Sequence, residues 1–448
     1  MLVPQDFQDR SVCIMGLGFV GLTLAVAMAE VGFRVTGVEI REDVADGLKR
    51  GKAHFFEPTL DETLSRVVEN GSLRVCTKIP PDCDATVYII TVGTPLNDEG
   101  HTRFDMIERV SHDVAAHMKA GALIILRSTI KVGSTKKIVM PALDQAGVAY
   151  NLAFCPERTL EGKALEEIHN LPQIVSGVDM TSNIRAAQLF QFLTATVVRV
   201  RDLETAEMIK LVDNTLRDVQ FAFSNEVAHM CDAIGVSAFE VIKAGKLGYP
   251  RTNLAVPGPV GGPCLEKDPH ILAETMRELG VEPHIAMAAR GVNERQPQEC
   301  VNYIAQAVAE RGAKVTKVSL LGLAFKGRPV TDDLRGTMAR PILNALRHEF
   351  PSADFCGYDN AVADADIAEF GLRPAPTLED AFAAADLVVI ANNHPMFSSM
   401  PIIGLAGEMR EPGLIYDFWN SFDSRDLALP AGVRYVSLGA HGLAQRMD

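Results

Sequence analysis

The feature that most constrains this chain is Gly16-Leu17-Gly18-Phe19-Val20-Gly21. It follows the short apolar run 11–15 and precedes an Ala-rich, helix-favouring stretch over 22–31. Strand, glycine turn and helix in that order open a doubly wound α/β domain. Gly16 permits the tight turn, Gly18 lets a pyrophosphate approach the backbone, and Gly21 allows close helix–strand packing. The pyrophosphate meets the N–H groups of the first helical turn, where Phe19 and Val20 sit. Gly32 ends the helix and residues 34–40 read as a second strand. Glu39 stands at its end, 18 residues after Gly21. A carboxylate there accepts both ribose hydroxyls of NAD and repels the extra phosphate of NADP, a repulsion that Arg41 softens. The competing reading is a glycine-rich turn in an empty sheet.

Residues 85–92, 122–126 and 150–154 are further apolar runs bounded by turn residues, as buried parallel strands are. A polar motif follows each. Gly93, Thr94 and Pro95 end the segment Thr91-Val92-Gly93-Thr94-Pro95, and Thr129 ends Arg127-Ser128-Thr129. Both motifs fall at carboxyl ends of strands, where α/β sheets bind ligands. Taken alone, either is ordinary turn chemistry. Cys155-Pro156-Glu157-Arg158-Thr159-Leu160-Glu161-Gly162 follows the third run. Its two carboxylates, four apart, suit acid–base work or, equally, a solvated loop paired to arginine.

Residues 203–234 have helical spacing of apolar side chains with no Pro and no Gly, a helix of 32 residues or ~48 Å. A helix of that length spans domains or forms a subunit interface. Lys210 and Asn214 share one face of it, although a lysine on a long helix is ordinarily just solvated. Residues 245–263 then hold five Gly and four Pro, a composition more often seen in ligand clamps than in plain linkers. Cys264 follows that loop in Gly261-Gly262-Pro263-Cys264-Leu265-Glu266-Lys267-Asp268 and is expected to open a helix, a placement that favours thiolate. Lys267 adds positive potential, and Asp268 lies one turn on, placed to orient water or a lysine. From spacing alone, a small buried cysteine accounts for Cys264 equally well. The other seven cysteines sit in apolar runs or ordinary loops and read as inert. A second α/β pattern begins near Lys314, with strand candidates at 315–321, 353–358, 387–391 and 414–418. The fold class is therefore α/β: two Rossmann-like doubly wound domains, 1–202 and 313–448, joined by a central long-helix segment, 203–300. No short tandem repeat is present.

A net charge of −14 argues against a nucleic-acid surface. It does not oppose a phosphate-bearing ligand, which local backbone amides can hold. No signal-peptide pattern and no apolar run of about 18 residues appear. With eight cysteines, no CxxC pair and no His cluster, the composition suits a cytoplasmic protein with reduced thiols and gives a metal site little support.

Taken together, GLGFVG, TVGTP, RST, CPERTLEG, the Lys210–Asn214 helix, GGPCLEKD, and Gly322-Leu323-Ala324-Phe325-Lys326-Gly327 with Asp332-Asp333-Leu334-Arg335 resemble the UDP-glucose/GDP-mannose dehydrogenase family. The resemblance covers essentially the whole chain, in order. It implies an N-terminal NAD domain, a central dimerisation helix and hence a homodimer or larger homo-oligomer, and a C-terminal domain that grips the nucleotide of a UDP-sugar. It also implies a four-electron oxidation of the sugar C6 hydroxyl with two NAD per product. In that chemistry Cys264 attacks the C6 aldehyde, the thiohemiacetal is oxidised to a thioester, and water releases the uronic acid. Lys210 and Asn214 stabilise oxyanions at C6. Asp268, Thr129 and Glu157 handle the hydrolytic water, and Glu161 contacts the sugar or acts as a base. Arg158, Leu160, Gly261 and Lys326 complete the substrate contacts. Within the family, Pro156-Glu157-Arg158 and Tyr249-Pro250-Arg251 resemble the UDP-N-acetylhexosamine branch (ManNAc or GlcNAc), although Tyr249 stands where that branch often has His. Glu161 and Lys267 resemble the UDP-glucose branch, with Glu266 in place of its usual Pro. The expected substrate is a UDP-N-acetylhexosamine, with UDP-glucose or GDP-mannose as alternatives. Two competing readings are a simple two-electron dehydrogenase of the hydroxy-acid type, which needs neither Cys264 nor a second α/β domain, and a non-catalytic nucleotide-sugar binding protein.

Overall fold

In the computed structural model, which describes residues 2–97 and 99–442, the apolar runs between glycine turns become two separate, mostly parallel sheets. The chain divides into two compact units. One comprises the chain up to Asp213 together with His270–Glu282; the other comprises Asn214–Pro269 and the chain from Pro283 onward.

The first unit holds β1 (Ser11–Met15), β2 (Arg34–Val38), β3 (Leu73–Cys76), β4 (Val87–Ile90), β5 (Leu123–Leu126), β6 (Asn151–Phe154), β7 (Gln173–Gly177) and β8 (Val197–Arg199). Their order is β3-β2-β1-β4-β5-β6-β7-β8, parallel except that β7 runs antiparallel to β6. The strand order reverses between β1 and β4, which opens a ligand crevice at their carboxyl ends. Burial on both faces explains why these strands read as unbroken apolar runs. Val12 and Ile14 feed one core, and Cys13 and Met15 feed the opposite one, the period-2 alternation of a strand.

The second unit holds β9 (Lys317–Leu321), β10 (Asp354–Tyr358), β11 (Arg373–Pro374), β12 (Leu387–Ile390), β13 (Gly413–Asp417) and β14 (Val433–Ser437), all parallel in the order β11-β10-β9-β12-β13-β14. This repeats the topology of the first six strands of the other sheet. Ala228 and Cys231 of the helix Leu203–Ile234, and Val301 and Ile304 of the helix His284–Glu310, join the core beneath this sheet. On the far side of the first helix, Leu216, Phe223, Met230 and Ile234 lie on one stripe and are each more than half exposed. No described helix is long and apolar enough to cross a membrane.

The structure differs from expectation in detail. The edge strands β3, β8, β11 and β14, together with β7, have no counterpart in the sequence reading. The breaker-rich loop begins two residues later than expected, because the helix Ala238–Lys246, capped by Ser237, runs through Gly245. One glycine costs a helix only about 1 kcal/mol.

Candidate active site

In the first unit the glycine turn is built as its residue types require. Gly16 has φ +93° and donates to the Val38 carbonyl at 2.8 Å. A Cβ on Gly21 would stand 1.9 Å from the Gly16 carbonyl oxygen, whereas one on Gly18 would meet nothing within 4 Å. The helix Phe19–Glu30 starts with no side-chain cap and no acid in its first turn. Its first N–H groups face the open side of Gly18, a cradle suited to an anion. Glu39 sits beside this turn, nearly buried, and accepts the N–H groups of Leu17 and Arg41 at 3.1 Å each. The Arg41 side chain lies 3.7 Å away and is largely exposed. Gly93, Thr94 and Pro95 follow β4, Thr129 follows β5, and the Thr94 hydroxyl donates to the Thr129 carbonyl. An open glycine face, an uncapped helix start and a carboxylate at the tip of β2 fit NAD, which would lie across β1, β2 and β4.

The loop after β6 is pinned through its backbone. Glu157 is buried. One carboxylate oxygen takes two N–H groups of Arg127, and the other takes the N–H groups of Arg158 at 2.6 Å and Thr159 at 2.7 Å. Burial pushes this carboxyl up, but Arg127, the Thr159 N–H and the charge of Lys210 more than offset it and hold Glu157 below the usual range. Glu167 takes the Leu160 N–H, and Glu57 takes those of Gly162 and Ala164, each at 2.7 Å. Arg158 pairs with Asp213 at 3.2 Å. Glu161 is half-buried in the same loop. The structure thus groups Glu157, Glu161, Thr129 and the cofactor cradle at the carboxyl ends of neighbouring strands, with Lys210 close enough to act on Glu157.

In the second unit, Cys264 lies in a four-residue helix, Gly262–Leu265, and is exposed. That removes the buried-cysteine alternative. The two preceding glycines have no room for side chains. A Cβ on Gly261 would stand 2.3 Å from the Gly336 carbonyl oxygen, and one on Gly262, at φ +91°, would stand 2.4 Å from the Phe325 ring. Gly262 also donates to the Gly336 carbonyl at 2.7 Å. Asp268 is fully buried and accepts from Asn214 Nδ2 at 2.6 Å and Lys267 Nζ at 2.8 Å. Lys267 is therefore paired to Asp268. Lys326 lies over the Phe325 ring at 5.1 Å. Tyr249 and Arg251 stack on each other at 4.7 Å on an exposed loop.

Among the other cysteines, Cys155 and Cys300 are pushed up to about 12 by burial. Cys83 departs from the inert reading. A hydrogen bond from the Cys13 thiol pulls it down to about 6. It lies before β4, at the amino end of that strand and away from the ligand crevice. Several residues that hold these loops have no role in the sequence reading: Glu57, Arg127 as partner of Glu157, and the buried Asp218, Asn225 and Arg290. The only signal for the last three is polar residues on helix faces, which solvent exposure explains just as readily.

Comparison with known proteins gives a consistent result. Residues 10–194 match the NAD binding domain of the UDP-glucose/GDP-mannose dehydrogenase family, residues 204–295 its central domain and residues 319–424 its UDP binding domain. A UDP-N-acetyl-D-mannosamine dehydrogenase of Salmonella typhi is 32% identical over 415 residues, covering 87% of this chain and 95% of its own. The solved UDP-D-ManNAc dehydrogenase from Pyrococcus horikoshii superposes with a TM-score of 0.87 at 30% identity, covering 96% of this chain and 100% of its own. The UDP-N-acetyl-mannosamine dehydrogenase of Staphylococcus aureus gives 0.82 at 28% identity, covering 96% and 98%.

Proposed function

The chain belongs to the UDP-glucose/GDP-mannose dehydrogenase family, and we propose that it oxidises the C6 hydroxyl of a UDP-N-acetylhexosamine to the carboxylate with Cys264 as nucleophile. It is an NAD-dependent nucleotide-sugar dehydrogenase. The observation that carries the mechanism is an exposed Cys264 on a braced loop, together with the buried Asn214–Asp268 pair and the half-buried Lys267 bonded to it.

NAD supplies one chemistry when bound: it accepts the hydride lost from C6, twice per product. The rest is assigned to the chain. The Cys264 thiolate adds to the aldehyde carbon, and Lys210 and Asn214 offer N–H donors to the oxygen that becomes negative. Water then attacks the thioester carbon and the acid leaves as the thiol is restored. Asn214 and Lys267 give Asp268 one donor per oxygen, which leaves each oxygen a lone pair for that water. Glu157 has two donors on each oxygen and suits an anchor better than a base. Thr129 is assigned to the hydrolytic water and Glu161 to the sugar, with Arg158, Leu160, Tyr249, Arg251, Gly261 and Lys326 as substrate contacts.

Arg158, the Tyr249-Pro250-Arg251 segment and the names of the relatives support an N-acetylated sugar. A panel of purified UDP- and GDP-sugars tests this: UDP-N-acetylmannosamine or UDP-N-acetylglucosamine should give the highest kcat/KM. A higher value for UDP-glucose would reverse the assignment. For the cofactor, NAD should exceed NADP in kcat/KM by at least about tenfold, equivalent to ~1.4 kcal/mol of like-charge repulsion at Glu39. Glu39→Ala should narrow that gap, and equal values in the wild type would contradict the role of Glu39. The stripe Leu216, Phe223, Met230 and Ile234 suits a second copy of the chain, paired about a two-fold axis. Light scattering at micromolar concentration should give at least the dimer mass; a monomer would contradict the pairing.

A further inference from the structure

The Cys264 loop is held from beneath by one buried cation. Arg290, on the helix His284–Glu310, is 2% exposed. Its Nη1 donates to the Leu265 carbonyl at 2.8 Å and to Asp218 Oδ1 at 2.7 Å, and its Nη2 donates to the Val260 carbonyl at 3.3 Å. The two carbonyls lie on either side of Cys264 in sequence. Asp218 is fully buried and follows Asn214 by one turn of the long helix. Asn293, one turn after Arg290, donates to the same Asp218 oxygen at 2.9 Å and accepts from Asn225 at 3.0 Å. Asn225 in turn clasps Gly258 through both its N–H, at 2.8 Å, and its carbonyl, at 3.1 Å. All four polar side chains are buried.

We infer that Arg290, neutralised by Asp218, is a positioning residue for Cys264: its planar fork ties both ends of the nucleophile loop to the helix that carries Asn214. The inference rests on the reading of Cys264 as nucleophile. Burying an arginine is costly, and an apolar pair of similar volume would serve stability as well or better. A guanidinium also offers what an apolar pair cannot, several donors in one rigid plane directed at backbone carbonyls. With three of those donor contacts placed on the carboxylate and on both flanks of Cys264, the loop has one geometry available to it. Displacement of a nucleophile by about 1 Å is enough to cost orders of magnitude in rate.

The test uses the full-length protein in a Cys83→Ser background, so that alkylation reports on Cys264. Two variants are compared: Arg290→Lys, which keeps the charge but loses the fork, and the double replacement Asp218→Leu/Arg290→Met, which removes both buried charges together. Each is read by kcat, KM, NAD affinity, thermal midpoint, and the pH profile of iodoacetamide modification at Cys264. The expected result for both is a fall in kcat of at least about tenfold with NAD affinity unchanged, and an altered alkylation profile. In the double variant the fall should occur without loss of thermal midpoint. Wild-type kcat and alkylation in either folded variant would overturn the inference. So would a loss of kcat that disappears when rates are measured well below a lowered midpoint, because the pair would then be purely structural. Cys264→Ala, measured in parallel, separates the two ideas. If it still makes carboxylate, the nucleophile reading itself fails; if it does not and the Arg290 variants behave as wild type, only the positioning role fails.

Discussion

Cys264→Ala is expected to abolish release of the uronic acid, by about 10³-fold or more, while NAD and nucleotide-sugar binding persist. Without the thiol the C6 aldehyde has no covalent partner, so hydrolysis cannot proceed through a thioester. Binding should survive because the thiol is exposed and backbone groups brace the loop: Gly262 to Gly336, and Arg290 to Val260 and Leu265. Cys264→Ser tells more. A serine can form a hemiacetal and then an ester, which resists hydrolysis more than a thioester does. Intact-protein mass spectrometry should then find a stalled adduct with a mass close to that of the sugar nucleotide. Carboxylate release at near-wild-type rate by the alanine variant would contradict the covalent route. Direct oxidation of a hydrated aldehyde would replace it, with Asp268 as the first candidate base and Glu157 the second.

The next largest effect is expected at Asp268. Asp268→Asn should lower kcat by about 10²–10³-fold, the size of losing one preorganised polar group from a closed site, and leave NAD affinity intact. The reasoning is local. Asp268 is fully buried, orients the Asn214 amide at 2.6 Å and neutralises Lys267 at 2.8 Å. An asparagine keeps the volume but loses the charge and one acceptor. Asp268→Ala should also cost stability, by about 1–3 kcal/mol. The ~3–5 kcal/mol of a fully buried broken pair does not apply, because the Lys267 side chain is 23% exposed and keeps its hydration. Thermal melts with parallel activity measurements check both parts. Wild-type kcat in Asp268→Asn would remove this carboxylate from the chemistry.

The most legible parts of the sequence were those set by local rules. The glycine turn was readable because each glycine has its own steric reason, and the helix Leu203–Ile234 because 32 residues without Gly or Pro kept an apolar period. The strands β1, β4, β5 and β6 were visible as apolar runs because both faces of the sheet are covered. Short edge strands were not: β3 alternates buried and exposed side chains over four residues, and β8 is mostly exposed over three. The supports of the site were hidden for a different reason. Glu57 reaches the N–H of Gly162, 105 residues later, and Arg290 meets Asp218 across 72 residues. Nothing in the spacing of such residues tells a buried clamp from a solvated charge. Lys267 shows the same limit from the other side. Three residues after Cys264, it reads as an electrostatic aid to the thiol, and its pairing with Asp268 is a contact that spacing does not reveal.

A four-electron oxidation on one protein fixes the number of NADH formed per sugar, which can be counted. Purified wild-type protein is given a limiting amount of UDP-N-acetylmannosamine and excess NAD, and NADH and sugar carboxylate are both quantified at completion. Two NADH per carboxylate are expected, with no aldehyde accumulating. One NADH per sugar, with a carbonyl product and no acid, would make this a simple two-electron dehydrogenase. No NADH with every sugar of the panel would make it a binding protein, and either outcome would rule out the four-electron oxidation.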